Sequence, residues 1–156
     1  MNFRDFRQIL NEFKNQKMVF VGLGSSQCGD DDAGRILLNR LTRRAELKGA
    51  EFLDAGTNPE NYLGKITARK PEAVIFIDTA RFGAPPGTIK LLDEKQLNPT
   101  DFSTHTFSIA MIAEYIARQN PCQFYYLGIQ PENTTIGKPV SEVLKNAIAV
   151  FFLCLN

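Results

Sequence analysis

Apolar residues recur along this chain in two alternating rhythms. Phe3, Phe6, Leu10 and Phe13 fall three and four positions apart, on one face of a short amphipathic helix. The run from Met18 to Gly24 is almost continuously apolar, rich in β-formers and closed by glycine, and predicts a buried strand. Helical spacing returns from Asp31 to about Leu47 through Ile36, Leu37 and Leu41, with acidic residues at the end where the helix dipole favours them. Ala50–Leu53 predicts a second strand, ending at Asp54-Ala55-Gly56-Thr57, and a helix over Pro59–Ala68 follows with Thr57 or Asn58 as its N-cap. Ala73–Asp78 is the clearest strand. Residues 82–87 form a loop by their glycine and proline content, and Thr88–Leu92 predicts a further strand. The pattern then gives a helix over Phe107–Arg118, a last strand over Gln123–Leu127 and a closing helix over Val140–Leu153.

Strands alternating with helices predict an α/β fold: a three-layer α-β-α sandwich around a mostly parallel sheet of about five strands. The strand after the proline loop is expected as an antiparallel edge. No repeat, low-complexity stretch or linker interrupts the pattern, so residues 1–156 read as one domain, with residues 1–16 as an extra N-terminal helix.

Composition adds little that is special. Hydrophobic residues make up 44% and charged ones 22%, as in soluble globular proteins. A net charge of +1 gives no general attraction to nucleic acid or a membrane surface. Arg40, Arg43 and Arg44 share one predicted helix and read as a solvated face. Three cysteines without ligand spacing suggest reduced thiols in the cytosol. Asp5 and Glu12 rule the N-terminal stretch out as a secretory signal, and no apolar run is long enough to cross a bilayer. The expectation is a cytoplasmic monomer that binds neither nucleic acid nor membrane.

Candidate chemistry gathers at the carboxyl ends of the predicted strands, where open α/β sheets bind ligands. The first strand is followed by a loop carrying Asp30, Asp31 and Asp32; the second ends at Asp54 and the third at Asp78. The single histidine, His105, directly precedes a helix. Carboxylates and an imidazole on one rim suit a divalent ion such as nickel, zinc or manganese and leave room for water or a carbonyl. Each residue also has a plainer role open to it. The aspartate triplet fits a helix N-terminus, with Asp30 as the capping residue, and Asp54 and Asp78 fit turns that satisfy backbone amides. Gly22-Leu23-Gly24 begins like a dinucleotide fingerprint, but Gln27 stands where the third glycine belongs and three aspartates would repel a pyrophosphate. Cys28 lies beside those aspartates, which oppose a thiolate, and no serine sits in a nucleophile-elbow motif.

The ordered blocks carry more than any one residue. Val21-Gly22-Leu23-Gly24-Ser25 with Gly29-Asp30-Asp31-Asp32-Ala33-Gly34, then Leu53 to Glu60, then Ala73 to Ala80 with Pro86-Gly87-Thr88-Ile89, then Ser103-Thr104-His105, then Leu127 to Glu132, resemble the successive motifs of the hydrogenase maturation endopeptidases. Gly29-Asp30-Asp31, Asn58-Pro59-Glu60 and Ser103-Thr104-His105 are most similar to the branch serving formate-hydrogenlyase and energy-converting hydrogenases. The resemblance implies an endopeptidase that removes the C-terminal extension of the large-subunit precursor of a nickel–iron hydrogenase after nickel insertion. It also implies that Asp31, Asp78 and His105 are the catalytic, metal-contacting residues, and that Asp54, with Gly56 and Thr57, recognises substrate. Asp32 departs from the pattern, since a small residue is common there, and Ser25 replaces a frequent asparagine.

Two mechanisms suit these residues. Either the protein holds its own ion, which polarises the scissile carbonyl and activates water, or nickel arrives within the substrate and the three residues complete its coordination. Zinc or another divalent ion is an expected occupant in vitro. Asp54 or Asp32 is available as a general base. The competing class is a nickel-binding chaperone that holds the large subunit without cutting it.

Overall fold

The computed structural model describes residues 3–92 and 106–156, with side chains over 5–92 and 109–156. Five strands form one sheet: β1 (Met18–Leu23), β2 (Glu51–Gly56), β3 (Ala73–Thr79), β4 (Ile89–Leu92) and β5 (Gln123–Ile129). Their order is β2-β1-β3-β5-β4. β1 pairs in parallel with both β2 and β3, β3 in parallel with β5, and the edge strand β4 antiparallel to β5. Among the described residues five helices accompany them: α1 (Phe3–Glu12), α2 (Ala33–Leu41), α3 (Leu63–Ala68), α4 (Thr106–Gln119) and α5 (Glu142–Leu155).

The continuous apolar runs of β1 and β3 are explained by burial on both faces; every residue of each strand is buried. Successive side chains leave a strand on opposite sides. Phe20, Ile75 and Ile77 therefore join α1, α2 and α5 in one core, while Val19, Val21, Val74 and Phe76 join α3 and α4 in the other. This is the expected three-layer sandwich. The N-terminal helix is built into it: Phe6 is fully buried, with its ring 5.4 Å from that of Phe151 on α5.

The differences from the expected elements lie at boundaries. β2 runs on through Asp54 to Gly56, because the Gly24 amide donates to the Gly56 carbonyl at 2.9 Å and prolongs the pairing. β5 runs on to Ile129, paired with β3 on one side and β4 on the other. The expected helix over 31–47 breaks into a 3₁₀ turn at Gly29–Asp32, α2, and a second 3₁₀ turn at Ala45–Leu47. A 3₁₀ turn at Pro59–Tyr62 likewise opens the segment before α3. Among the described residues, no helix is long and apolar enough to cross a membrane.

Candidate active site

β1 leads to β2 on one side of the sheet, and the chain then returns to lay β3 on β1's other side. The crossover between β1 and β3 is a topological switch point, where the connections diverge and leave a crevice outside the carboxyl ends. Gly34, in the first turn of α2, lets the helix dock directly on that point. A Cβ there would lie 2.7 Å from the Ile77 carbonyl oxygen and 2.8 Å from that of Leu23.

Two of the expected residues come together at this crevice. Asp31, in the loop after β1, accepts from the Ser25 amide through Oδ2 at 3.0 Å and from the Thr79 hydroxyl through Oδ1 at 3.0 Å. Asp78 is buried at the end of β3, and its Oδ1 accepts from the Thr79 amide at 2.8 Å. Thr79 thus touches both carboxylates. The third expected residue, His105, lies outside the described residues. Among the described residues no three His, Cys, Asp or Glu side chains form a metal-holding group, so two expected oxygen donors stand here without a described third.

Asp54 is directed elsewhere. Arg35 of α2 donates to both its oxygens, Nε to Oδ1 at 2.7 Å and Nη2 to Oδ2 at 2.9 Å, and reaches Asp32 Oδ1 through Nη1 at 3.0 Å. Burial pushes the Asp32 carboxyl above its ordinary value, and the charges of Asp54 and Asp31 add to that; Arg35 opposes the shift without cancelling it. Arg35 itself is raised, chiefly by its hydrogen bonds to Asp54, against the effect of burial. Gly56 sits at a positive φ of 58°, a conformation glycine adopts without strain, and joins β2 to the loop at Gly24. Thr57 is exposed, and its hydroxyl donates to Asn58 Oδ1 at 2.9 Å.

Asp30 does not cap α2, contrary to expectation. Its side chain is fully buried and points away from that helix, toward the segment joining β5 to α5. It accepts from the amides of Glu132 and Asn133 at 2.8 Å each, from the Ser141 amide at 2.7 Å, and from the Ser141 hydroxyl at 3.1 Å. Burial alone would raise this carboxyl. The four hydrogen bonds together outweigh burial and hold it below the ordinary 3.8. The N-cap of α2 is Asp32, which makes no side-chain capping bond. Asn58, one of two residues expected to cap the next helix, also makes none.

Three further residues shape the site without having been singled out. Thr79 was concealed by its ordinary place at the end of a strand. Arg35 carried a readable signal, standing three positions after Asp32 at a spacing that favours an ion pair. Gln130 is a buried polar side chain whose Oε1 accepts from the amides of Phe82 at 2.8 Å and Ala84 at 3.4 Å, fixing the glycine–proline loop beside β3.

Comparison with known proteins gives a consistent family. The family model described as HycI, hydrogenase maturation protease, matches residues 36–152, a span that begins just after the Asp30–Asp32 turn. The hydrogenase 3 maturation protease of Escherichia coli K12 is 26% identical over 136 residues, covering 86% of this chain and 85% of its own. The crystal structure of the [NiFe] hydrogenase maturation protease HycI from Thermococcus kodakarensis KOD1 superposes with a TM-score of 0.78 at 29% identity, over 95% of this chain and 96% of that one. HybD from E. coli shares the fold at a TM-score of 0.72 and 19% identity, over 89% of each chain. With its family model matching well over half of the sequence, the chain belongs to the hydrogenase maturation proteases.

Proposed function

We propose that this protein is an endopeptidase that removes the C-terminal extension from the nickel-loaded large-subunit precursor of a nickel–iron hydrogenase, acting through Asp31, Asp78 and His105. The observation that carries the reading is the meeting of Asp31 and Asp78 at the β1–β3 crevice, both in contact with Thr79. In this reading nickel is part of the substrate. Two carboxylates and an imidazole suit it, and an ion so held polarises a neighbouring carbonyl. The substrate-borne version makes cleavage wait for nickel insertion, since a nickel-free precursor brings nothing for the three residues to coordinate. A zinc or other divalent ion would satisfy the same donors in vitro.

Between the two candidate general bases, Asp32 is favoured over Asp54. Arg35 engages one oxygen of Asp32, whose carboxyl burial raises, but occupies both oxygens of Asp54, so Asp32 keeps an oxygen for a proton. Asp54, Gly56 and Thr57 are assigned to the substrate-binding rim, with Arg35 as Asp54's partner in that role. The protein is read as a cytoplasmic monomer of the branch serving formate-hydrogenlyase-type enzymes.

The test is to mix the protein with purified precursor, loaded with nickel or free of it, and follow the mobility shift of the shortened product. Wild-type protein should shorten only the loaded precursor. Asp31→Asn and His105→Ala should abolish cleavage while leaving the thermal midpoint close to wild type. Normal cleavage by either variant would refute the site. Stable binding of the precursor by wild-type protein without shortening would favour the chaperone reading.

A further inference from the structure

We propose that Thr79 is a positioning residue that fixes Asp31 relative to Asp78; the inference rests on the proposed role of those two carboxylates. Thr79 is 3% exposed and forms the last rung of β3, opposite Ile129 of β5. Its backbone amide donates to Asp78 Oδ1 and its hydroxyl to Asp31 Oδ1. The first contact is local and survives any side chain at this position. The second spans 48 residues and needs a hydroxyl. Asp31 otherwise takes its described support from its own loop, through the Ser25 amide on Oδ2. The Thr79 hydroxyl is therefore what ties the Asp31 carboxylate to the β3 strand that carries Asp78.

The residue type matters for two reasons. A β-branched side chain has few χ1 choices, so the hydroxyl is aimed before Asp31 arrives. Neighbouring backbone holds the strand end in place, because the Ala80 amide donates to the Ile129 carbonyl at 2.9 Å. A rigid strand end thus carries the donor, and the more local loop carries the acceptor. Among the described residues the Thr79 hydroxyl reaches the site through Asp31. Its loss leaves the Asp31 carboxylate present to bind but misaimed, so the rate of the chemical step should suffer more than the binding of the precursor. Misplacement of a reacting group by about 1 Å lowers rates by roughly a hundredfold.

The experiment compares Thr79→Val, which removes the hydroxyl and keeps the shape, with Thr79→Ser, which keeps the hydroxyl. Using nickel-loaded precursor, T79V should lower kcat by roughly ten- to a hundredfold with KM changed by no more than about twofold. T79S should recover most of the rate. Cleavage by T79V at the wild-type rate, with D31N inactive, overturns the inference and leaves the site reading standing. Normal cleavage by D31N removes the site reading itself. An equal loss in T79S and T79V shows that shape rather than the hydroxyl is needed, which also overturns the proposal. A second measurement needs no substrate: in a denaturant double-mutant cycle, the effect of T79V on the unfolding midpoint should shrink in an Asp31→Ala background. An unchanged effect there would mean that the hydroxyl does not act through Asp31. Thr79→Ala serves the same cycle if the valine variant does not fold.

Discussion

Asp30, Asp31 and Asp32 occupy successive positions of one 3₁₀ turn, where three residues complete a revolution and side chains leave about 120° apart. Each finds a different neighbour: Asp30 the β5–α5 segment, Asp31 the hydroxyl of Thr79, and Asp32 the guanidinium of Arg35. Reading the sequence identifies the triplet as important but cannot divide its work, because the deciding partners of Asp31 and Asp30 lie 48 and 111 residues away. Asp30 is the member whose loss should cost stability rather than chemistry. Asp30→Asn turns one accepting oxygen into a donor facing a backbone amide, and should destabilise by about 2–3 kcal/mol in denaturant unfolding at pH 7. Since the folded carboxyl is held below its unfolded value, its contribution is fully present above about pH 4 and is lost as pH falls through the depressed value. The stability gap between wild type and Asp30→Asn should therefore narrow on acidification below pH 4. A gap that stays constant down to pH 2 would contradict this account.

At the level of elements, β1 and β3 were legible because burial on both faces leaves a short run of apolar residues, rich in β-formers and bounded by turn residues. Their carboxyl ends, and hence Asp31 and Asp78, followed from the general geometry of parallel sheets. The extension of β2 past Asp54 was not legible, since it depends on a hydrogen bond from Gly24 in another loop. The same extension helps explain why Asp54 faces Arg35: it is a strand residue beside α2 rather than a turn residue. His105 is expected immediately before a helix, and α4 does begin at Thr106, while His105 itself lies outside the described residues. The docking of α2 gives a prediction of its own. In Gly34→Ala the new Cβ would meet backbone of both β1 and β3, including Asp78 Cα at 3.1 Å, and none of these atoms can turn aside. The helix must shift instead, at a cost of about 1–3 kcal/mol. Both the unfolding midpoint and precursor cleavage should fall; a variant with unchanged stability would show that α2 accommodates the methyl freely.

For the molecule as a whole, the mixed sheet and its two helical layers were readable from the rhythm of strands and helices, whereas the weight carried by α1 was not. Its short amphipathic pattern suggests an addition to the fold, yet Phe6, Ile9 and Leu10 are buried in the same core as α2, α5 and the central strands. Phe6→Ala should cost about 3–5 kcal/mol in equilibrium unfolding, as for other fully buried aromatic residues. A cost below 1 kcal/mol would mean that α1 is dispensable to the core.

The bracing of Asp30 also carries information about time. A ribosome delivers the chain from its N-terminus, so the aspartate turn emerges long before the segment from Glu132 to Ser141 that receives Asp30. Until that segment appears, the Asp30 carboxylate has none of the four donors that hold it in the finished protein. The loop carrying Asp31 thus stays without this brace until the chain 111 residues beyond Asp30 has been made, and the turn cannot take its finished form before then.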